Sequence, residues 1–247
     1  MSERQPYEKP QIKSETLSFE QLHRPDGRTQ RARKAKTDSG DIFVKTKDRY
    51  FDGNTTEEEV AILKKAQAGG VNVEIPFAEE RKDRMVVMSE GKTLGSSIEQ
   101  YSIEQLKIIL KNIAEQIAKL HHLNIKQGDF HTDNITIDPK TLKVSLIDFS
   151  GAVDYTEKPI NFDIYNDIYQ KLANDFDNIF LGLYIHIFNN PKENKRNRLK
   201  FEKLREDFPE LMHILKDSII ENYRLNQYVA DQLKKYLESL ISSNKRT

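Results

Sequence analysis

IKQGDFHTDNITIDPKTLKVSLIDFS, residues Ile125 to Ser150, is the stretch around which the chain is organised. Within it Asp129 is followed five positions later by Asn134, and a strand-like run, Val144 to Ile147, delivers Asp148 and Phe149. An acid, an amide and a second acid at the end of a short hairpin form one chemical set. In a phosphoryl transfer Asp129 would accept the proton of an attacking hydroxyl, and Asn134 and Asp148 would supply hard oxygen ligands to Mg²⁺ carried on nucleotide phosphates. A surface turn with two Asx residues beside an unrelated strand end is the plainer reading of the same letters.

The pattern resembles the catalytic loop and metal-binding motif of the protein-kinase-like superfamily, H-R-D-x-x-x-x-N followed by D-F-G. With Gly128 before the acid and His131 two positions after it, the loop is more similar to the H-G-D-x-H-x-x-N form of aminoglycoside phosphotransferases and other atypical kinases. Three positions depart from the pattern: Gln127 stands for histidine, Ser150 for glycine, and the glycine-rich loop is depleted. None removes a group that would touch metal or proton.

The chain has 247 residues, enough for one large domain or two modest lobes. Acidic and basic residues balance at 39 each, so no global field steers the protein toward nucleic acid, and none is expected as a partner. The absence of cysteine excludes disulfides, thiolate zinc sites and cysteine nucleophiles. The most apolar run, Ile179 to Phe188, is broken by Gly182 and His186 and is too short to span a bilayer. No secretory signal is visible near Met1, which makes a cytoplasmic protein, or one delivered into a host cytoplasm, the default expectation.

The resemblance implies an α+β, two-lobed kinase-like fold: a polar tail over residues 1–15, an N-lobe over 16–91 with a five-stranded antiparallel sheet and one helix, and a mainly helical C-lobe over 92–247. Thr16 to Leu22 is a candidate first strand, and the turn Pro25-Asp26-Gly27 falls where a kinase carries its phosphate-covering glycines; only Gly27 is present. Arg28, Arg31, Arg33, Lys34 and Lys36 would supply by side chain what those glycines supply by backbone; a solvated strand face accounts for the same charges. Asp41 to Lys45 resembles the V-A-I-K strand, with Lys45 as the lysine on the α- and β-phosphates.

From Thr55 a Thr-x-x-Glu capping box opens a helix that ends at Gly69-Gly70, with Val60, Leu63 and Ala66 as its apolar stripe. Glu59 is the preferred ion-pair partner for Lys45; Glu57 and Glu58 compete, because a first turn favours acids anyway. The run from Glu59 through Gly70-Val-Asn-Val-Glu-Ile-Pro76 also resembles a pattern of RIO kinases that the small kinase of the KEOPS tRNA-modification complex shares. Val71 to Phe77 and Arg84 to Met88 read as two strands around the charged turn Glu79 to Asp83. Met88 and Glu90 then fall at the kinase hinge, where the adenine of ATP would bind.

Ser102 to Gln105 is a second capping box, opening a helix with Ile103, Leu106, Ile109, Leu110, Ile113, Ile117 and Leu120 at three- and four-residue steps. His121 and His122 at its end read as caps on the negative helix terminus. Asp177 to Gly182 resembles the D-x-W-x-x-G start of a kinase F helix, whose acid would hold the catalytic loop; Asp175 is the rival position. Leu199 to about Leu225 and Tyr228 to Ile241 read as amphipathic helices.

The function implied is an ATP- and Mg²⁺-dependent kinase acting on a protein serine or threonine, similar in size and economy to minimal kinases that some bacteria inject as effectors. Asp129, Lys45, Glu59 and His131 form its catalytic set, Asn134 and Asp148 its metal ligands, and Lys45, Gly27, Met88 and Glu90 its nucleotide contacts. A small-molecule phosphotransferase and a nucleotide-binding pseudokinase scaffold are the alternatives, and the need for an activating partner is left open.

Overall fold

The computed structural model describes residues 20–23, 29–37, 40–46, 54–81, 84–89, 92–156, 175, 178–188 and 198–223, with positions 231, 234–235 and 238–239 near the C-terminus. Gly27, Glu90, Asp177 and the tail 1–15 lie outside the described residues.

The first sheet contains β1 (Glu20–His23), β2 (Thr29–Thr37), β3 (Gly40–Thr46), β4 (Ile75–Arg81) and β5 (Arg84–Ser89), five antiparallel strands in the order β1-β2-β3-β5-β4. Lys45 lies in register between Ala32 of β2 and Met85 of β5, and Met88 between Ile42 and Ile75. The strand expected from Val71 begins later. Residues 71–74 instead run alongside the strand that leads to Asp148: Val73 bridges Leu146 in parallel, the Leu146 N–H donates to Asn72 O at 2.9 Å, and the Glu74 N–H donates to Leu146 O at 3.1 Å. Val71 and Val73 are buried there, so their alternation is satisfied by a different neighbour from the one the pattern suggested.

Between β3 and β4 lies α1 (Thr56–Ala68). Thr55 caps it, its Oγ accepting from the Glu58 N–H at 3.2 Å while Glu58 Oε2 accepts from the Thr55 N–H at 2.8 Å. Val60, Ile62, Leu63 and Ala66 face the core. Of the three acids in the first turn, Glu57 and Glu58 are exposed and Glu59 is buried among these apolar residues.

The second half is built on α3 (Ile103–His122), with Ser102 and Gln105 forming its capping box. Its apolar line, Leu106, Ile109, Leu110, Ile113, Ile117 and Leu120, is almost completely buried, as the three- and four-residue spacing requires. Ahead of it come β6 (Lys92–Thr93) and the single turn α2 (Leu94–Ser97). After it come β7 (Ile125–Lys126), β8 (Ile135–Ile137), β9 (Val144–Leu146) and β10 (Val153–Asp154). β8 pairs with both β6 and β9, and β7 with β10, so two small antiparallel sheets flank the loop that carries Asp129. Helical residues 178–188 (α4) and α5 (Arg198–Tyr223) complete the core with Ile179, Phe180, Phe201, Leu204, Phe208 and Leu215. Among the described residues no helix is long and apolar enough to cross a membrane.

The end of α3 carries His121 and His122 in its last turn, as expected. The main chain closes it: the Leu123 N–H donates to Leu120 O and the Asn124 N–H to His121 O, with Asn124 left-handed at φ 59°. The His121 Nε2 lies 3.0 Å from Oδ2 of the buried Asp175.

Polar contacts join α1 to the segment following Asp148. The Asn54 N–H donates to Ser150 O at 2.8 Å, and Asn54 Nδ2 donates to Phe149 O at 3.2 Å and Ala152 O at 2.6 Å. One turn from the helix end, Lys65 Nζ meets both carboxylate oxygens of Asp154 at 2.7 and 2.8 Å. Burial opposes the Asp154 charge, but the Lys65 ammonium and the hydroxyl and amide of Thr156 outweigh it and hold the carboxyl below its usual range.

Two outcomes follow from this packing. Ile113→Ala, at a position with no exposed surface, should destabilise the protein by about 2–5 kcal/mol in denaturant titration. For Lys65→Met the sign depends on pH: a carboxyl whose folded pKa is depressed contributes stability above its unfolded pKa of about 4 and loses it as pH falls through the folded value. The wild type should therefore melt above Lys65→Met at neutral pH, and the gap should close on acidification. A gap that persists to about pH 2 would assign the effect to packing of the lysine stem instead.

Candidate functional site

The loop between β7 and β8 starts with Gln127, which is completely buried. Its Oε1 accepts from the Asp129 N–H at 2.7 Å, and its Nε2 donates to Ile147 O at 3.2 Å and Asp148 O at 2.8 Å. One side chain therefore ties the first acid to the strand end that carries the second. Gly128 lies at φ 86°, and a Cβ there would approach Gly151 O to 2.1 Å. Both the left-handed backbone and the contact with Gly151 exclude a side chain at this position.

Asp129 projects outward, its side chain 62 % exposed. Asn134, nearly buried, donates from Nδ2 to Asp129 O at 2.8 Å and more weakly to Asp129 Oδ2 at 3.4 Å. With the amide nitrogen so engaged, Asn134 Oδ1 is the atom left to act as a ligand. The Ile147 N–H donates to Asn134 O at 3.0 Å, which places the residue preceding Asp148 against Asn134. Asp148 itself adopts φ 59°, and its N–H donates to Oε1 of the buried Glu74 at 2.9 Å.

His131 caps the short 3₁₀ turn Thr132–Asn134: its Nδ1 accepts from the Asp133 N–H at 3.2 Å. That bond assigns the proton of the neutral ring to Nε2, which lies 3.4 Å from Asp129 Oδ2 and can donate to it. Asp133 faces His186 of α4 at 3.8 Å, an ion-pair contact longer than a hydrogen bond. The His186 imidazole, opposed by partial burial and aided by His131 and Thr93, lowers the Asp133 pKa. Gly95 of α2 closes over the pair; a Cβ there would lie 2.3 Å from Asp133 Oδ1 and 2.5 Å from His186 Nε2. Gly182 of α4 likewise lets the helix approach the buried Thr132.

The loop thus brings Asp129, His131 and Asn134 together, and the β8–β9 hairpin adds the main chain of Asp148. Lys45 and Met88 occupy β3 and β5 of the larger sheet, and Glu59 the buried side of α1. Gly27 and Glu90 are not among the described residues. Sequence reasoning missed Glu74, Asn54 and the Asp133–His186 pair. Glu74 had the one available signal, an acid between Val73 and Ile75 in an otherwise apolar run.

No group of three or more histidine, aspartate or glutamate side chains among the described residues is arranged to enclose a metal. The amide oxygen of Asn134 and the carboxylate of Asp148 are both hard oxygen donors by chemistry. Such a set fits a Mg²⁺ ion that draws its remaining ligands from phosphates and water.

Comparison with known proteins places these features in a family. Residues 12–182 match the model described as RIO domain. KEOPS complex subunit Bud32 of Pyrococcus abyssi (strain GE5 / Orsay) is 34% identical over 99 residues, 39% of this chain and 44% of that protein, so the chain matches less than half of that relative's length. Among solved structures, WaaP in complex with acyl carrier protein aligns with a TM-score of 0.46 at 15% identity, over 85% of this chain and 91% of that one. The family match extends from ahead of the five-stranded sheet to the glycine that packs on Thr132, well over half of the chain, and the protein is a member of the RIO domain family within the atypical protein-kinase-like superfamily.

Proposed function

We propose that this protein is an ATP- and Mg²⁺-dependent phosphotransferase whose acceptor is a serine or threonine of a partner protein. The observation that carries the reading is the junction at Asn134: its amide binds Asp129, and its carbonyl binds the residue before Asp148. The exposed Asp129 is thereby bonded to Asn134, and Asn134 in turn to the residue that precedes Asp148. Membership of the RIO domain family supports phosphotransfer. The matched relative is named as a subunit of a complex, which supports a protein partner.

In this reading residues 16–91 and 92–247 are the two lobes and ATP lies between them. Asp129 accepts the proton of the acceptor hydroxyl as the phosphoryl group transfers in line. Asn134 Oδ1 and the Asp148 carboxylate hold Mg²⁺, which supplies charge neutralisation on the phosphates when bound. Lys45 steadies the α- and β-phosphates and Glu59 orients Lys45 from the buried side of α1. Met88, with Glu90 and Gly27, contributes to the nucleotide pocket. His131 Nε2, 3.4 Å from Asp129 Oδ2, would turn the other carboxylate oxygen toward the acceptor.

A second reading, transfer to a small polar molecule, is favoured by the Asp133–His186 pair. It keeps a second carboxylate on the same loop, four residues after Asp129, where a cationic small acceptor would dock.

Intact-mass spectrometry after incubation with Mg-ATP, alone and with a cell extract, should show a protein gaining one phosphoryl group. Asp129→Asn should lower the rate by about 100- to 10,000-fold. Asp148→Ala should abolish the Mg²⁺-dependent rise in melting temperature that ATP produces in the wild type. ADP release stimulated only by aminoglycosides, sugars or inositol phosphates would transfer the assignment to the second reading. No mass change, together with identical behaviour of Asp148→Ala and wild type, would leave a scaffold rather than an enzyme.

A further inference from the structure

Asp148 holds the least favourable backbone conformation in the site, and its conformation depends on a residue far away in sequence. A non-glycine residue at φ 59° is strained, and such strain persists only where the surroundings over-determine it. Two buried side chains do so here. Gln127 Nε2 binds the Asp148 carbonyl at 2.8 Å, and Glu74 Oε1 accepts the Asp148 N–H at 2.9 Å. Glu74 is 3 % exposed. Its backbone is fixed to the same strand end, with Val73 bridging Leu146 and the Glu74 N–H on Leu146 O. A carboxylate is a costly group to bury unless it is hydrogen-bonded, and the Asp148 N–H is one such bond.

We infer that Glu74 is a positioning residue for metal binding: its carboxylate holds Asp148 in the left-handed conformation that presents the Asp148 side chain as a Mg²⁺ ligand. The inference rests on the phosphotransferase reading above and adds to it a residue outside the loop. In this inference the hydrogen bond to the Asp148 N–H sets the conformation, and an amide oxygen at the same place can accept that bond.

The test compares Glu74→Gln and Glu74→Ala with wild type in the full chain, using the ATP-induced rise in melting temperature as a function of Mg²⁺ and amide hydrogen exchange over residues 146–150. Glu74→Ala should need at least about tenfold more Mg²⁺ for half of the ATP effect, as expected when an outer partner of a metal ligand is removed. It should also lose protection at the Asp148 amide. Glu74→Gln should stay within about threefold of wild type, against the tenfold or greater loss expected for Ala. ATP binding measured without Mg²⁺ should be unchanged in both, a pattern that general destabilisation would not produce. A wild-type Mg²⁺ response in Glu74→Ala overturns the inference, as does a Glu74→Gln variant as impaired as Glu74→Ala. Should the wild type itself show no Mg²⁺-dependent ATP effect, the functional reading fails, and with it the metal role of Glu74. Hydrogen exchange then still reports whether Glu74 protects the Asp148 amide, so the two failures are distinguishable.

Discussion

The Gln127 amide, sealed from solvent, has three main-chain partners: the Asp129 N–H and the carbonyls of Ile147 and Asp148. A histidine, which the resemblance would place here, has two ring nitrogens. A primary amide has two N–H donors and an oxygen, so it satisfies the three partners at once. Each bond contributes on the order of 1 kcal/mol, and each partner left unsatisfied in the interior would cost about 1–3 kcal/mol. The separation between the loop acid and the hairpin acid is therefore set by a rigid planar group. Asn134 adds a second tie, from Asp129 to the residue before Asp148.

Around this amide the backbone is used in conformations that most residues avoid. Gly128 turns left-handed against Gly151, and Asp148 is left-handed as well. Glycine meets the first demand without steric cost; aspartate is among the few residues that tolerate the second. Both lie beside the atoms proposed to do chemistry. Strain placed there is offset by buried polar partners, namely Gln127, Glu74 and Asn134, rather than by apolar packing.

Much of this was legible in the sequence because it is written in local rules. The two capping boxes marked the starts of α1 and α3, and the apolar spacing of α3 identified its buried face. Of the three acids of α1, Glu59 is the buried one. What could not be read depends on partners far apart in the chain. The alternation of Val71 and Val73 is the same whether those residues join β5 or lie along β9. The contact of His121 with Asp175, 54 residues away, is invisible to any local pattern. Glu74 and Asn54 gain their meaning only from the backbone around Asp148, which no short-range signal announces.

The same contacts bear on whether α1 can move independently of the metal-side segment. Residues on both flanks of the helix are attached to it: Asn54 binds the carbonyls of Phe149, Ser150 and Ala152, and Glu74 binds the Asp148 amide. Lys65, within the helix, adds its pair with Asp154. Swinging α1 outward would break the three Asn54 bonds together, a cost of about 3 kcal/mol if each is worth about 1, which holds the detached arrangement near or below about 1%. The Lys65 pair is half-exposed and adds little to that figure. The buried side of α1, which carries Glu59, and the strand end that carries Asp148 therefore move as one unit.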